Sequence, residues 1–469
     1  MSRQILIDPV TRIEGHSKIT IQLDDAGKVQ DAHFHVTQMR GFEKFVEGRP
    51  FQEMPSLMGR ICGICPVSHL MASSKACDEL MRVNIPRPAA ELRQIMNLAQ
   101  IIQSHALSFF YLSSPDLLLG MDSDPAQRHI FGVAQAYPEL ARDGVQMRKF
   151  GQHTIEILGG KRIHPGWVVP GGVETPLSID QRDAILAMIP NALAIAQRTL
   201  KWYKSVFERF QGEIDSFANF PSLFLGLAND ENTLEMYDGK LRFGDVHGNV
   251  VTEVEPKDYE TVIAEAVERD SYLKSPYYKP LGYPEGVYRV GPLARLNLVK
   301  SCGTPLADAE LPDFRKQDGN SSFHYHYARL IDILYSVEKM QQLLNEKDIL
   351  DTRVRVFASP NRHHGVGVSE APRGTLLHHY EIDDNGLMVR ANLIIATGHN
   401  NLAMNRGVLQ VAQAYITDAQ ITDGMLNRVE AVIRSFDPCL SCSTHAIGQM
   451  PLQIQLLAPG GEVVDEVKR

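Results

Sequence analysis

Cysteine is scarce in this chain, and the little there is has been gathered. Six cysteines in 469 residues are too few for the disulfide framework of a small secreted domain. No apolar run approaches the roughly 18 residues of a membrane helix. The opening Met1-Ser-Arg-Gln-Ile-Leu-Ile-Asp-Pro-Val10 lacks the basic-then-apolar layout of a signal peptide. Lys and Arg number 47 against 56 Asp and Glu, a net charge of -9, so no basic stripe offers itself to nucleic acid. There is no G-x-G-x-x-G for a dinucleotide, no internal repeat and no low-complexity segment. What remains is an acidic chain expected in the cytoplasm, long enough for a large core.

Four of the six cysteines stand in two C-x-x-C pairs. One is Arg60-Ile-Cys62-Gly-Ile-Cys65-Pro-Val-Ser-His69 near the front; the other is Asp437-Pro-Cys439-Leu-Ser-Cys442-Ser-Thr-His445 near the end. Such spacing turns both sulfurs toward one metal or toward each other. A quartet of thiolates is a soft-donor site, suited to zinc, iron, nickel or an iron-sulfur cluster and poorly suited to calcium or magnesium. A thioredoxin-type redox pair and a closed structural zinc site are the plainer readings. Structural zinc, however, usually joins pairs about 10 to 20 residues apart, and here most of the chain lies between them. The spacing therefore favours a catalytic metal centre that closes the whole fold. Cys77 and Cys302 stand alone and read as buried thiols.

The periodicities predict a mixed α+β chain. Residues 4–36 alternate apolar and polar side chains, with a turn at Asp25 to Gly27. Helices are predicted from His69 to Met81, over 89–113 and over 127–157, and then a Gly- and Pro-rich loop over 159–172. Further helices are predicted over 179–217, capped by Ser178, over 322–346 and over 405–435. Strands are expected at 375–381 and 387–396. Asp116 falls in an apolar stretch, where an unpaired carboxylate would be costly, so it requires a cationic partner. Glu14 and Glu43 would each pass for solvated carboxylates. The adjacent pairs His363-His364 and His378-His379 are poor ligand candidates, because neighbouring strand residues point to opposite faces.

Taken with Arg12-Ile-Glu14-Gly-His16, Arg40-Gly-Phe-Glu43, Val290-Gly-Pro-Leu-Ala-Arg-Leu-Asn297 and Ala371-Pro-Arg373-Gly, the two cysteine motifs make the chain resemble the large subunit of a nickel-iron hydrogenase. The resemblance runs from about residue 5 to the end. Arg40-Gly-Phe-Glu-Lys-Phe45 and Ile61-Cys-Gly-Ile-Cys-Pro-Val-Ser-His69 look most like the cytoplasmic, bidirectional, NAD-reducing group. The resemblance implies an α+β fold with a predominantly helical core, long helices and peripheral β-hairpins. It implies one domain over 1–445 and an extension, 446–469, removed by a maturation protease to free His445. Cys62 and Cys439 would bind nickel terminally; Cys65 and Cys442 would bridge nickel and iron, whose other ligands would be carbon monoxide and cyanide. Glu14 would relay the proton from Cys439, and His69 would donate a hydrogen bond to a cysteine sulfur. Arg373 would stand over the metals, oriented by Asp116 and Asp437. Glu43 and His445 would hold a magnesium ion near the C-terminus.

Hydrogen is apolar and a very weak acid in water, so splitting it needs a Lewis-acidic metal for the hydride half and a nearby base for the proton. An arginine can add electrostatic stabilisation there without competing as a ligand, since it stays protonated. No cysteines are left over for clusters, so the resemblance implies that the electron partner is an iron-sulfur small subunit. FMN and NAD would then sit on diaphorase subunits, and nickel-insertion proteins would act during assembly. Two alternatives stand beside this reading. One is a cytoplasmic hydrogenase with another acceptor. The other is a non-catalytic assembly subunit of the respiratory complex I type, which typically lacks the cysteine quartet.

Overall fold

A computed structural model describes residues 3–417, 421–444, 453–457 and 463–468. Its frame is a set of long helices: α1 (Pro66–Met81), α2 (Arg87–Leu107), α3 (Pro138–Gly159), α4 (Ile179–Val206), α5 (Pro292–Leu298), α6 (Tyr325–Leu344), α7 (Asn401–Tyr415) and α8 (Asp423–Phe436). α2 and α6 run through the middle. α3 packs on α2, α4 on α6, and almost every side chain of α2 and α6 is buried, including Arg93, Arg329 and Asp332. That explains why apolar residues are too frequent in them for a single amphipathic stripe.

Small sheets surround the helices. β1 (Arg3–Ile7), β2 (Ser17–Leu23) and β3 (Val29–Val36) form an antiparallel sheet in sequence order, and β2 buries every second residue, as its alternation predicts. Asp24 Oδ1 accepts from the Ala26 and Lys28 amides and so makes the β2–β3 turn. β4 (Leu223–Ala228), β5 (Lys240–Gly244) and β6 (Val250–Val254) form a second sheet, joined by a parallel pairing of Tyr288–Arg289 with β4. β7 (His364–Ala371), β8 (Gly374–Ile382) and β9 (Met388–Ile394) form a third antiparallel sheet, which lies on α1. The approach is close: a Cβ on Gly367 would stand 1.9 Å from the Ala72 carbonyl oxygen. Gln453–Leu457 pairs antiparallel with Val463–Lys468.

Several predicted elements are interrupted. The 405–435 helix is two, α7 and α8; Thr422 caps the second by accepting from the Met425 amide, which ends any continuation from Tyr415. α4 starts at the predicted Ser178 cap, a full capping box with Gln181, but stops at Val206 before a 3-10 turn and a short helix Gln211–Ser216. The 127–157 helix is broken at Pro138, which opens α3. α2 widens into a π turn over Ser108–Ser113 and restarts at Ser114–Leu119, the segment holding Asp116. β7 has no counterpart among the predicted strands.

Candidate metal centre

The two C-x-x-C pairs meet. Cys62 ends a 3-10 turn and Cys65 precedes the first residue of α1, where Pro66 needs no amide partner. Cys439 caps the start of the one-turn helix Leu440–Ser443 that follows α8, and Cys442 lies within it. The Sγ atoms of Cys62 and Cys439 are 3.3 Å apart, those of Cys65 and Cys442 3.5 Å, and those of Cys439 and Cys442 3.0 Å. All four ligand atoms lie within 4.8 Å of one another and all four residues are buried. A tetrahedron of metal–sulfur bonds of about 2.3 Å has edges of about 3.8 Å, so the quartet has room for a soft cation after small adjustments.

The surroundings treat the four sulfurs unequally, and one of them is favoured as thiolate. The amides of Ile64 and Cys65 donate to Cys62 Sγ at 3.2 and 3.4 Å. Hydrogen bonds from Cys439, Cys442 and Cys62 push Cys65 well below the ordinary thiol range, with a smaller contribution from His69. Cys439 is pushed up by its hydrogen bonding to Cys442 and the other two, and Cys442 is pushed up by burial. Four sulfurs thus share their protons within one closed space, an arrangement a cation resolves by displacing them.

Each predicted site residue has a definite place, except His445, which lies outside the described residues. Glu14 pairs with Cys439 as a parallel bridge; its carbonyl accepts from the Leu440 amide at 3.1 Å and its Oε2 from the Ser441 amide at 3.0 Å. Gly15 follows at φ +92°, and a Cβ there would stand 2.6 Å from Leu440 Cβ. Only glycine lets the two chains approach so closely. Arg373 is the tip of the β7–β8 hairpin, in the two-residue turn closed by the Ala371–Gly374 pair. It donates through Nε to the Asp437 carbonyl, through Nη2 to Asp437 Oδ1 at 3.1 Å and through Nη1 to Ser104 Oγ at 3.2 Å. Burial works against its charge, but Asp437 and the sulfurs of Cys439, Cys65 and Cys62 outweigh that and keep it protonated. Burial pushes the Asp437 carboxyl up, with Arg373 and Arg329 opposing. A small enclosed cavity lies between Arg373, Pro372, Thr397, His69 and the sulfurs of Cys65 and Cys439.

Asp116 corrects the expectation. Its carboxylate faces Arg12 at 2.5 Å, Arg434 at 2.9 Å and Asn427 at 3.0 Å, and none of its hydrogen bonds goes to Arg373. The cationic partner it requires is present, but it is Arg12 and Arg434, which bind the N-terminal segment to α8, with Arg128 further off at 3.8 Å. The place opposite Asp437 on the guanidinium belongs to Ser104. Glu43 Oε1 accepts from the Leu393 amide at 2.8 Å; burial pushes its carboxyl up, and Lys274 and Arg390 oppose.

Sequence reasoning missed several supporting residues. Gln100 and Gln103 both donate to the Ile64 carbonyl, at 2.8 and 2.6 Å, and so hold the loop between Cys62 and Cys65. With Ser104 they form a polar stripe at helical spacing on a helix buried all round, a signal legible in the sequence. Thr397 Oγ1 accepts from the Cys439 amide at 2.9 Å. His69 Nδ1 meets His378 Nε2 at 3.2 Å, and the chain continues from His378 Nδ1 to the Tyr380 hydroxyl at 2.6 Å and on to Ser73 Oγ at 2.8 Å. The discounted histidine pair therefore contributes one member to the site's surroundings. His379 is not part of that chain and bonds Tyr259 instead.

Comparison with known proteins agrees with this arrangement. A family profile described as nickel-dependent hydrogenase matches residues 40–127 and 229–445, and a HoxL-like profile matches residues 4–39. The chain is 43% identical to the beta subunit of the NAD-reducing hydrogenase HoxS of Cupriavidus necator, covering 100% of both chains. It is 44% identical to a vhu subunit of the F420-non-reducing hydrogenase of Methanococcus voltae, over 88% of this chain and 99% of that one. A crystal structure of an NAD+-reducing [NiFe]-hydrogenase in the H2-reduced state superposes with a TM-score of 0.92 at 43% identity, covering 94% of this chain and 99% of the other. The Ni-Fe-Se hydrogenase of Desulfovibrio vulgaris Hildenborough, at 23% identity, shares the fold with a TM-score of 0.77. Full-length identity and a buried cysteine quartet in the matched segments place this chain in the nickel-dependent hydrogenase family.

Proposed function

We propose that this chain is the catalytic large subunit of an NAD-linked nickel-iron hydrogenase, cleaving H2 reversibly into a proton and a hydride. The observation that carries the reading is the meeting of four buried sulfurs from the two ends of the chain beside Glu14 and Arg373. Cys62 and Cys439 would be terminal nickel ligands; Cys65 and Cys442 would bridge nickel and iron, with carbon monoxide and cyanide completing the iron. When bound, that pair of metals supplies the Lewis acidity that polarises H2.

The protein's share is proton handling and electrostatics. Cys439 Sγ accepts the proton, and the Glu14 carboxylate takes it onward. The two backbones are bridged at these residues, which supports the hand-over. Arg373 supplies fixed positive charge where negative charge develops, held by Asp437 and Ser104. His69, within hydrogen-bonding reach of Cys65, steadies that thiolate. Glu43 and His445 would hold magnesium; Thr444 pairs with Leu273, next to the Lys274 whose charge acts on Glu43, which brings the chain near Glu43 one residue before His445.

Cys77 and Cys302 are buried, and burial pushes both thiols up. They offer no cluster site, so electrons would pass to an iron-sulfur small subunit, then to FMN and NAD on diaphorase subunits. The relative named as NAD-reducing and the 0.92 superposition support NAD as acceptor, and reducing that cofactor would place the enzyme in the cytoplasm. Residues 1–445 would act as one domain, with 446–469 removed by a maturation protease after nickel insertion. The Methanococcus voltae relative, about equally identical, favours a second reading with the same hydrogen chemistry and another acceptor.

The test is metal content and turnover on the complex purified from its own host. Nickel and iron near one each per chain are expected, both lost in Cys439→Ser. Glu14→Gln should keep both metals and lose about 100- to 10,000-fold in turnover, the range of general acid–base catalysis. H2-dependent reduction of NAD+ separates the two acceptors. Zinc alone in protein trimmed to His445 would overturn the hydrogenase reading.

A further inference from the structure

The motif Val290–Asn297 has no part in the chemistry above, yet α5 carries its arginine to the base of the hairpin that presents Arg373. Arg295 is fully buried. It donates to Glu370 Oε2 at 2.6 Å, to the Ala371 carbonyl at 3.0 Å and to Asp332 Oδ2 at 2.5 Å. Glu370 is itself fixed on every side. Its Oε1 accepts from the Leu227 amide at 3.1 Å and from Thr375 Oγ1 at 2.7 Å, its carbonyl accepts from Asn97 Nδ2 at 3.1 Å, and its amide donates to the Met236 carbonyl at 3.1 Å. The residues on both sides of Pro372-Arg373 are therefore tied to one guanidinium. The start of the same helix touches the turn: a Cβ on Gly291 would stand 2.8 Å from the Arg373 carbonyl oxygen, and one on Gly374 only 2.6 Å from the Gly291 amide.

A buried ion cluster is a poor source of stability, because desolvation offsets most of the attraction. This one even leaves Arg295 Nε without an acceptor. What it supplies is geometry. A guanidinium is a planar fork that meets three acceptors at set angles, which neither an ammonium nor an apolar side chain can do.

We propose that Arg295 is a positioning residue for Arg373: with Asp332 and Glu370 it locks the turn from Ala371 to Thr375 and so sets where the Arg373 guanidinium stands over the cysteine quartet. The proposal rests on the role assigned to Arg373 above. A displacement of about 1 Å at a reacting centre costs on the order of a hundred-fold in rate, so loosening the turn has a measurable effect without any loss of metal.

The experiment compares Arg295→Lys, Arg295→Met, Arg373→Lys and the double variant Arg295→Lys/Arg373→Lys. Backbone deuterium uptake on the metal-free full chain should rise in the segment 366–376 in both Arg295 variants and stay at parent level in β2 and β3. In the metal-loaded complex, Arg295→Lys and Arg295→Met should keep nickel and iron, shift the infrared bands of the iron's diatomic ligands and lose about a hundred-fold in turnover. The double variant should fall no further than Arg373→Lys alone, since coupled residues are not additive. Parent-level exchange in the turn, or additive losses, would overturn the proposal. If neither Arg295 variant folds, Glu370→Gln carries the same expectations. A loss in Arg373→Lys with parent turnover in Arg295→Lys refutes positioning alone, whereas parent turnover in Arg373→Lys refutes the role of Arg373 and the proposal with it.

Discussion

Replacing Asp116 by alanine separates a structural carboxylate from a catalytic one. Its two oxygens carry Arg12, Arg434 and Asn427, and Arg434 is almost wholly buried. Burial alone would push the Asp116 carboxyl up, but Arg434 and Arg12 outweigh it and hold the group below its ordinary range. Removing one partner of a buried pair costs about 3 to 5 kcal/mol, chiefly the penalty of the charges left behind. With about 2.1 cal/mol/K of unfolding entropy per residue, a chain of 469 residues loses about 1 °C in Tm for each kcal/mol, so Asp116→Ala should melt about 3 to 5 °C lower. Asp116→Asn keeps an acceptor for Arg12 but turns an amide donor against Arg434, and should cost about 1 to 3 kcal/mol. The sign with pH follows: a depressed carboxyl stabilises fully at neutral pH, and the difference from parent shrinks as pH falls through its native value. Calorimetry across pH measures this, and turnover per nickel should match the parent. An unchanged Tm would refute the energetics. A loss of turnover per nickel with normal melting would restore Asp116 to the orientation of Arg373.

Two further outcomes test other parts of the structure. Gly374→Ala at φ +131° would press a Cβ to within 2.3 Å of Val290 Cγ2, so it should lower turnover per nickel more than Gly160→Ala, at an open turn, with infrared bands as the check. His399 and His326 are both pushed down to about 3 by burial, His399 while its Nδ1 meets the Tyr288 hydroxyl at 2.5 Å. Both are neutral in the fold, so stability is full above about pH 6.5 and falls below it as the unfolded chain takes up protons, by about 1.4 kcal/mol per pH unit for each group. His399→Asn should flatten that acid limb in denaturant titrations, and superimposable curves would refute the assignment.

The legible parts of the molecule are those with a period or a spacing. Cysteines three apart, alternation in β2 and the Ser178 cap each carry a local physical signal, and each appears in place. What no local signal carries is partner choice. Asp116 announces that it needs a cation but cannot say which one, because Arg12 and Arg434 lie 104 and 318 residues away. Ser104 shares the legible polar stripe with Gln100 and Gln103, but nothing local names Arg373, on another element, as its partner. Thr397 and His378 serve through a backbone amide and another ring, contacts that no spacing rule encodes. The break between α7 and α8 hides in a stretch whose apolar period continues across it.

The meeting of Cys62 with Cys439 spans 377 residues. Closing a loop of that length costs on the order of 5 kcal/mol of chain entropy, and a cation held by both pairs sustains that closure as a disulfide would. Metal loading is then also a molecular clasp. A nick in an exposed loop between the two pairs would leave fragments joined by the packed core as well as by the ion, and a chelator should lower the denaturant concentration at which they part.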